Sequence, residues 1–209
     1  MSWRSIAQIA LAVPMVVWLA GCDKPPEEQM TATKAAVDGA VQAEAAKYAA
    51  PELARLQDSL KTALAEVEHQ NQRFFILRNY DQAKSTLTWA GTNAPVVAQT
   101  SKANKEKLRA ATAEAIRTAE AAVDSAAALL ANAPRGKESK ADLEAMEADV
   151  TTMRAGIDEA KAGLTAEDFN KAKMKAQEVT GKAQQMQTEV SGIIQKYEEL
   201  RAKRGHRGK

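Results

Sequence analysis

Few side chains in this chain could do covalent or metal chemistry. Its 209 residues include one cysteine, Cys22, and two histidines, His69 and His206. Neither histidine has a second histidine or a cysteine at metal-ligand spacing. Thr180-Gly181-Lys182 is similar to the end of a phosphate loop, but Ala176 stands where that loop needs its first glycine. Glutamates and lysines recur at helical spacing, the pattern of a solvated face held by i,i+4 pairs rather than of a paired acid and base. His69 reads as a helix-surface residue, and Met146, Met153 and Met186 fall on apolar seams as filler. No catalytic residue, metal site or cofactor is expected, and the chain does not read as an enzyme. That leaves the thiol of Cys22, whose thiolate is a strong nucleophile toward alkylating and acylating groups.

The surroundings of Cys22 say what could modify it. Ile6 to Gly21 carries no charge, Arg4 stands before it, and the run ends in Leu19-Ala20-Gly21-Cys22. The run is short of the ~20 residues that cross a bilayer and has the layout of a secretory signal. Its end resembles the lipobox of bacterial lipoproteins. The resemblance implies Leu19, Ala20 and Gly21 as signal-peptidase recognition residues and Cys22 as the lipid acceptor, freed by removal of residues 1–21. Two or more acyl chains at about 0.8 kcal/mol per buried CH₂ make a lasting anchor. In enteric lipoproteins an aspartate after the cysteine acts as a sorting signal for the inner membrane, which is the role the resemblance implies for Asp23. Pro25-Pro26 would keep the linker, residues 22–29, extended.

The whole chain carries 29 basic and 27 acidic residues, and loss of residues 1–21 removes only Arg4. A body so near neutrality argues against nucleic acid as the partner. With Cys22 acylated no disulfide can form within the chain, so the fold must stand on packing alone. Alanine abounds, aromatics make up 4% of residues, and no proline follows Pro134, the composition of long helices.

Periodicity sharpens this. Phe169, Ala172, Ala176, Val179, Ala183, Met186, Val190, Ile193, Tyr197 and Leu200 alternate steps of three and four, as do Leu143, Met146, Val150, Met153, Ile157, Ala160 and Leu164. A sustained 3.5-residue repeat marks a coiled-coil seam. Thr165 with Asp168, and Ser139 with Asp142, read as helix starts. The spacing predicts an antiparallel hairpin with arms at 139–163 and 166–203. Upstream, Leu53, Leu56, Leu60, Ala63, Val67 and Phe74 share a stripe interrupted by Gln70. Leu108, Ile116, Ala119, Val123, Ala126 and Leu130 share another, interrupted by Thr112. A first helix over about 27–49 carries Met30, Val37, Val41 and Tyr48. Breaks are expected at Gly91–Pro95 and at Asn132–Gly136.

The halves resemble each other. Leu53 aligns with Leu143 and Val67 with Ile157, then "NYDQAK" with "DFNKAK", so Tyr80 falls on Phe169. The aromatic-x-x-Ala-Lys motif is similar to the turn between paired helices in tetratricopeptide-like repeats, which implies duplicated helical hairpins. "YAAPELARLQDSLKTAL" followed by "NYDQAKSTL" resembles an alanine-rich helical domain of unknown function found in Gram-negative envelope lipoproteins, a likeness covering about residues 40–90. It implies fold and location, not a biochemical role.

Two features could carry interactions. Phe74-Phe75-Ile76-Leu77, followed by Tyr80, is too many adjacent apolar residues for one narrow stripe; they cover a hairpin end or form a binding knob. The tail carries Arg201, Lys203, Arg204, Arg207 and Lys209 and would attract anionic lipid or cell-wall polymer, unless it is only a solvated helix end. A lipidated cysteine, heptads and a final lysine together resemble the murein lipoproteins of enteric bacteria. That likeness implies Lys209 as a peptidoglycan attachment point, although Gly208 stands where those proteins have arginine.

The expectation is therefore an all-α protein of elongated antiparallel coiled-coil hairpins. It divides into a signal (1–21), a lipidated linker (22–29), a first hairpin region (30–135), a second hairpin (136–203) and a basic tail (204–209). It would be anchored in the cell envelope facing the periplasm, at the inner membrane in preference to the outer. Its expected work is that of a non-catalytic scaffold or adaptor for an envelope protein. The alternative is a periplasmic carrier for lipid or exported polypeptide, its bundle cavity lined by Phe74, Phe75, Tyr80 and Trp89.

Overall fold

Helix formation in this alanine-rich chain is favoured everywhere, so the architecture is decided by where helices break and which face each one buries. The computed structural model describes residues 24–135 and 140–206, with side chains to residue 203. They form an all-α helical bundle: α1 Glu27–Gln42, α2 Ala45–Tyr48, α3 Ala50–Asn71, α4 Asp81–Ala131, α5 Lys140–Thr165 and α6 Phe169–His206. Two compact units result. The first takes residues up to Gly39 together with Pro51–Val96, and the second takes Ala40–Ala50 together with Val97 onward. Helix α4 contributes to both.

In the first unit α3 and the start of α4 form an antiparallel hairpin. Val67 closes against Tyr80 and Ala83 at its end, and Met30 of α1 packs on the same cluster. Tyr80, Ala83, Leu87, Ala90 and Ala94 are all completely buried, an unbroken three-four alternation along α4. This seam runs through Gly91–Pro95, where a break was expected. Pro95 lies inside α4, and its ring removes the bond that would have reached the Gly91 carbonyl. Continuous burial on the opposite face outweighs that loss.

In the second unit the latter part of α4, α5 and α6 share one core: Ile116, Val123 and Leu130, then Leu143, Met153 and Ile157, then Val179, Met186 and Val190, with alanines between. Ion pairs fix the directions. Lys161 reaches Glu120 at 2.6 Å, Arg154 reaches Asp124 at 3.6 Å, and Lys175 reaches Glu159 at 3.2 Å. Helix α5 therefore runs antiparallel to both α4 and α6. The polar residue expected to interrupt α4 is satisfied in place: Thr112 is fully buried and donates to the carbonyls of Leu108 and Phe169. The residues aligned between the halves match in burial, Leu53 with Leu143, Val67 with Ile157 and Tyr80 with Phe169.

Several boundaries differ from expectation. The first helix does not reach residue 49. It breaks where Glu44 adopts a left-handed conformation, φ 59°, and α4 side chains take up the freed carbonyls. Ser101 donates to Ala43 O at 2.6 Å and Asn104 to Tyr48 O at 2.8 Å. The buried line of α1 is Thr33, Val37 and Ala40, leaving Val41 exposed. Thr165 does not start α6. It is the last residue of α5 and donates back to Lys161 O. The α5 terminus is instead a Schellman motif, with Asp168 N–H on Gly163 O and Glu167 N–H on Leu164 O, and Glu167 left-handed at φ 60°. The α6 seam ends near Ile194, and Tyr197 (45% exposed) and Leu200 (42%) lie beyond the shared core. Ser139 lies outside the described residues.

Helices close enough to pack alanine on alanine leave no slack at glycine. A Cβ on Gly156 would sit 2.8 Å from Val179 Cγ2, inside the α5–α6 contact, whereas nothing lies within 4 Å of one on Gly181. Gly156→Ala is expected to destabilise by about 1–3 kcal/mol through overpacking. Gly181→Ala is expected to stabilise by about 0.5–1 kcal/mol through helix propensity. Urea denaturation checks both, and equal shifts of the same sign would contradict this close approach.

Candidate functional site: the apolar hairpin tip

The turn between α3 and α4 is unlike every other surface of the described chain. Phe74, Phe75, Ile76 and Leu77 are 63%, 50%, 66% and 57% exposed in an unbroken row. Phe75–Leu77 forms one 3₁₀ turn, and the rings of Phe74 and Phe75 meet at 4.8 Å between centroids. Of the two uses open to these residues, covering the hairpin end falls to Tyr80 alone. It is buried and donates to Asn71 Oδ1 at 2.5 Å.

A polar framework holds the tip up. Arg78 donates to the carbonyls of Arg73 (3.0 Å) and Asn71 (2.8 Å), capping the end of α3. Gln70, which interrupts the apolar stripe of α3, is buried. Its Oε1 accepts from Asn79 N–H and from Arg73 Nη1, both at 3.1 Å, and its amide donates to Glu66 Oε1 at 2.7 Å. Asn79 Oδ1 in turn accepts from Asp81 N–H at the start of α4. The tip is thus a supported turn that displays apolar side chains.

Comparison within the chain shows that the hairpin architecture does not require it. The "NYDQAK"/"DFNKAK" alignment puts Gly163-Leu164-Thr165-Ala166 where the first hairpin has Phe74-Phe75-Ile76-Leu77. The second hairpin has one large apolar residue there, Leu164, and it packs against the core instead of facing water. The first hairpin thus exposes four large apolar groups at a position where the second exposes none, a patch of the kind that marks interaction surfaces in general.

Sequence reasoning missed a second site, in the second unit. Lys105 Nζ donates at 2.6 Å to both Glu44 and Glu167. These are the two non-glycine residues of positive φ among those described. Backbone strain of this kind persists only where surroundings over-determine it, and here one ammonium ties both strained turns together. Lys47 adds a bond to Glu167 O at 3.1 Å, and both lysines face the ring of Tyr48, whose buried hydroxyl has no hydrogen-bond partner. The hydrogen bond to Glu167, then that to Glu44, raises the pKa of Lys105; the bond from Lys105 holds Glu167 below the ordinary carboxylate range. No local pattern announced this cluster, because its members stand about 60 residues apart and glutamate is not a usual left-handed residue.

The aromatic residues considered for a cavity are not gathered into one. Phe74 and Phe75 project at the tip, Tyr80 is buried, and Trp89 is 46% exposed elsewhere on α4. The first unit does hold an open groove of about 470 Å³ between α1 and α3, floored by Val37, Leu60 and Leu64 and edged by Asp38, Lys61 and Glu68. Of the tail, Arg201 and Lys203 are exposed at the end of α6, while Arg204 has no described side chain. Leu19, Ala20, Gly21, Cys22, Asp23, Arg207 and Lys209 lie outside the described residues. Among the described residues no group of three or more His, Cys, Asp or Glu could hold a metal ion, and no helix is long and apolar enough to cross a membrane. No family model, curated protein or solved structure matches the chain.

Two outcomes follow from these contacts. Gln70→Leu keeps the volume and removes the acceptor of Asn79 N–H. Hydrogen exchange at Asn79 and proteolysis within 74–77 are expected to accelerate while the rest of α3 and α4 is unchanged; unaltered exchange would show that Gln70 does not support the tip. Glu167, with its lowered pKa, contributes stability above the ordinary carboxylate range that is lost as pH falls through its folded pKa. Lys105, with its raised pKa, contributes below the ordinary lysine range and loses that as pH rises through its own. The melting difference between the native chain and Lys105→Met should therefore be largest between the ordinary carboxylate and lysine ranges and shrink as the pH falls below the ordinary carboxylate range. A difference constant through the acid range would deny the ion pairs a role.

Proposed function

We propose that this protein is a lipid-anchored component of a bacterial cell envelope, tethered through Cys22 and facing the periplasm. Asp23 favours the inner membrane. It works as a non-catalytic helical scaffold or adaptor. The observation that carries the reading is the Phe74–Leu77 tip: an apolar surface raised on a polar framework and duplicated nowhere in the second hairpin. Narrow alanine seams support it, because helices packed so closely suit docking rather than enclosing a substrate. The exposed basic end of α6 offers a further contact for anionic lipid or peptidoglycan. A second reading, a carrier of lipid or exported polypeptide, is favoured by the open groove between α1 and α3.

Metabolic labelling with a fatty acid tests the anchor. The native chain should incorporate label and fractionate with membranes, and Cys22→Ala should lose label and be released or mislocalised. Equal labelling of the two would remove the anchor, and with it the assigned compartment.

A further inference from the structure

The apolar tip and the first described residues lie at the same end of the first unit. Helix α1 runs parallel to α4. The Gln29 amide donates to Lys84 O at 2.9 Å and to Thr88 Oγ1 at 2.7 Å. One turn on, Thr33 donates to Leu87 O at 3.2 Å, and its Oγ1 lies 3.4 Å from a Cβ built on Gly91. Met30 packs on Val67, Tyr80 and Ala83, the contacts that close the hairpin. With both helices rising 1.5 Å per residue, this register sets Glu27 level with the start of α4 and Lys24–Pro26 level with the base of the tip. Two residues of chain span at most about 7 Å, which bounds the distance from Lys24 to Cys22.

We propose that Phe74–Leu77 is a membrane contact, its side chains inserted at the interface of the bilayer that holds the Cys22 acyl chains. Which bilayer is meant rests on the lipid-anchor reading; insertion itself rests on the tip. The tip presents aromatic and aliphatic groups at one turn, flanked by Arg73 and Arg78, and no acidic residue stands between Glu68 and Asp81. Apolar side chains below a cationic rim match the boundary between acyl chains and anionic headgroups. Insertion at one turn is shallow, about 5–10 Å. A tether alone leaves the first unit free to tumble. A tether and an inserted tip at the same end direct α1, α3 and α4 away from the bilayer.

The test uses the full chain in vesicles of phosphatidylethanolamine and phosphatidylglycerol, with a benzophenone amino acid at Ile76 or, as control, at exposed Val96 farther along α4. Circular dichroism checks folding. After irradiation, phospholipid adducts should form at position 76 about tenfold more than at position 96, and less when phosphatidylcholine replaces phosphatidylglycerol. Equal lipid adducts at the two positions would overturn the proposal, as would a protein adduct at position 76 when the labelled chain is irradiated in the envelopes of cells producing it. The mass of the Cys22 peptide separates the two ideas. Acylated Cys22 without adducts at 76 leaves the anchor standing and removes the tip contact. Adducts at 76 with unmodified Cys22 do the reverse.

Discussion

The close approach of helices along alanine seams is the constraint on which this structure depends. Alanine loses no side-chain entropy in a helix and lets backbones meet, but it buries little apolar area per residue. Stability must therefore accumulate over long continuous seams. That is why α4 tolerates Pro95 in its interior: Ala94 and Val97 are buried on either side of it, and the next elements of the seam hold the helix together. It is also why Gly156 and Gly163 sit where α5 and α6 come nearest, against Val179 and Ala172.

The same economy makes the exceptions informative. Large apolar residues are scarce, and most lie inside. A row of four on one turn has no role in holding α3 to α4, since Tyr80 and Val67 perform that task beneath it. Polar groups are placed just as selectively. Gln70 and Thr112 look like defects in their stripes, yet each is buried with its hydrogen bonds made, one supporting the tip and the other tying α4 to the start of α6. Buried polar groups that are fully paired specify one arrangement where alanine alone would allow neighbouring registers.

Much of this was legible in the sequence. The three-four alternation of Phe169 to Val190 and of Leu143 to Ala160 is a direct image of the buried seam, and Tyr80 and Phe169 were readable as equivalent helix starts. The tip was visible as too many apolar residues for one stripe, although only its geometry could decide whether it covered the hairpin or faced water. What escaped depends on distance along the chain or on local competition. The break at Glu44 has no glycine or proline to announce it and is stabilised by Ser101, Asn104 and Lys105 from α4. Gly91 and Pro95 gave a break signal that tertiary packing overrode. Tyr197 and Leu200 continue the heptad in sequence but are exposed.

The proposed anchor is the single sulfur of Cys22, holding a helical body outside the cytoplasm. The most direct measurement is the intact mass of the protein purified from its own membranes. The predicted result is a chain beginning at Cys22, heavier than residues 22–209 by a diacylglyceryl group and a further acyl chain. A free thiol with residues 1–21 still attached would contradict it.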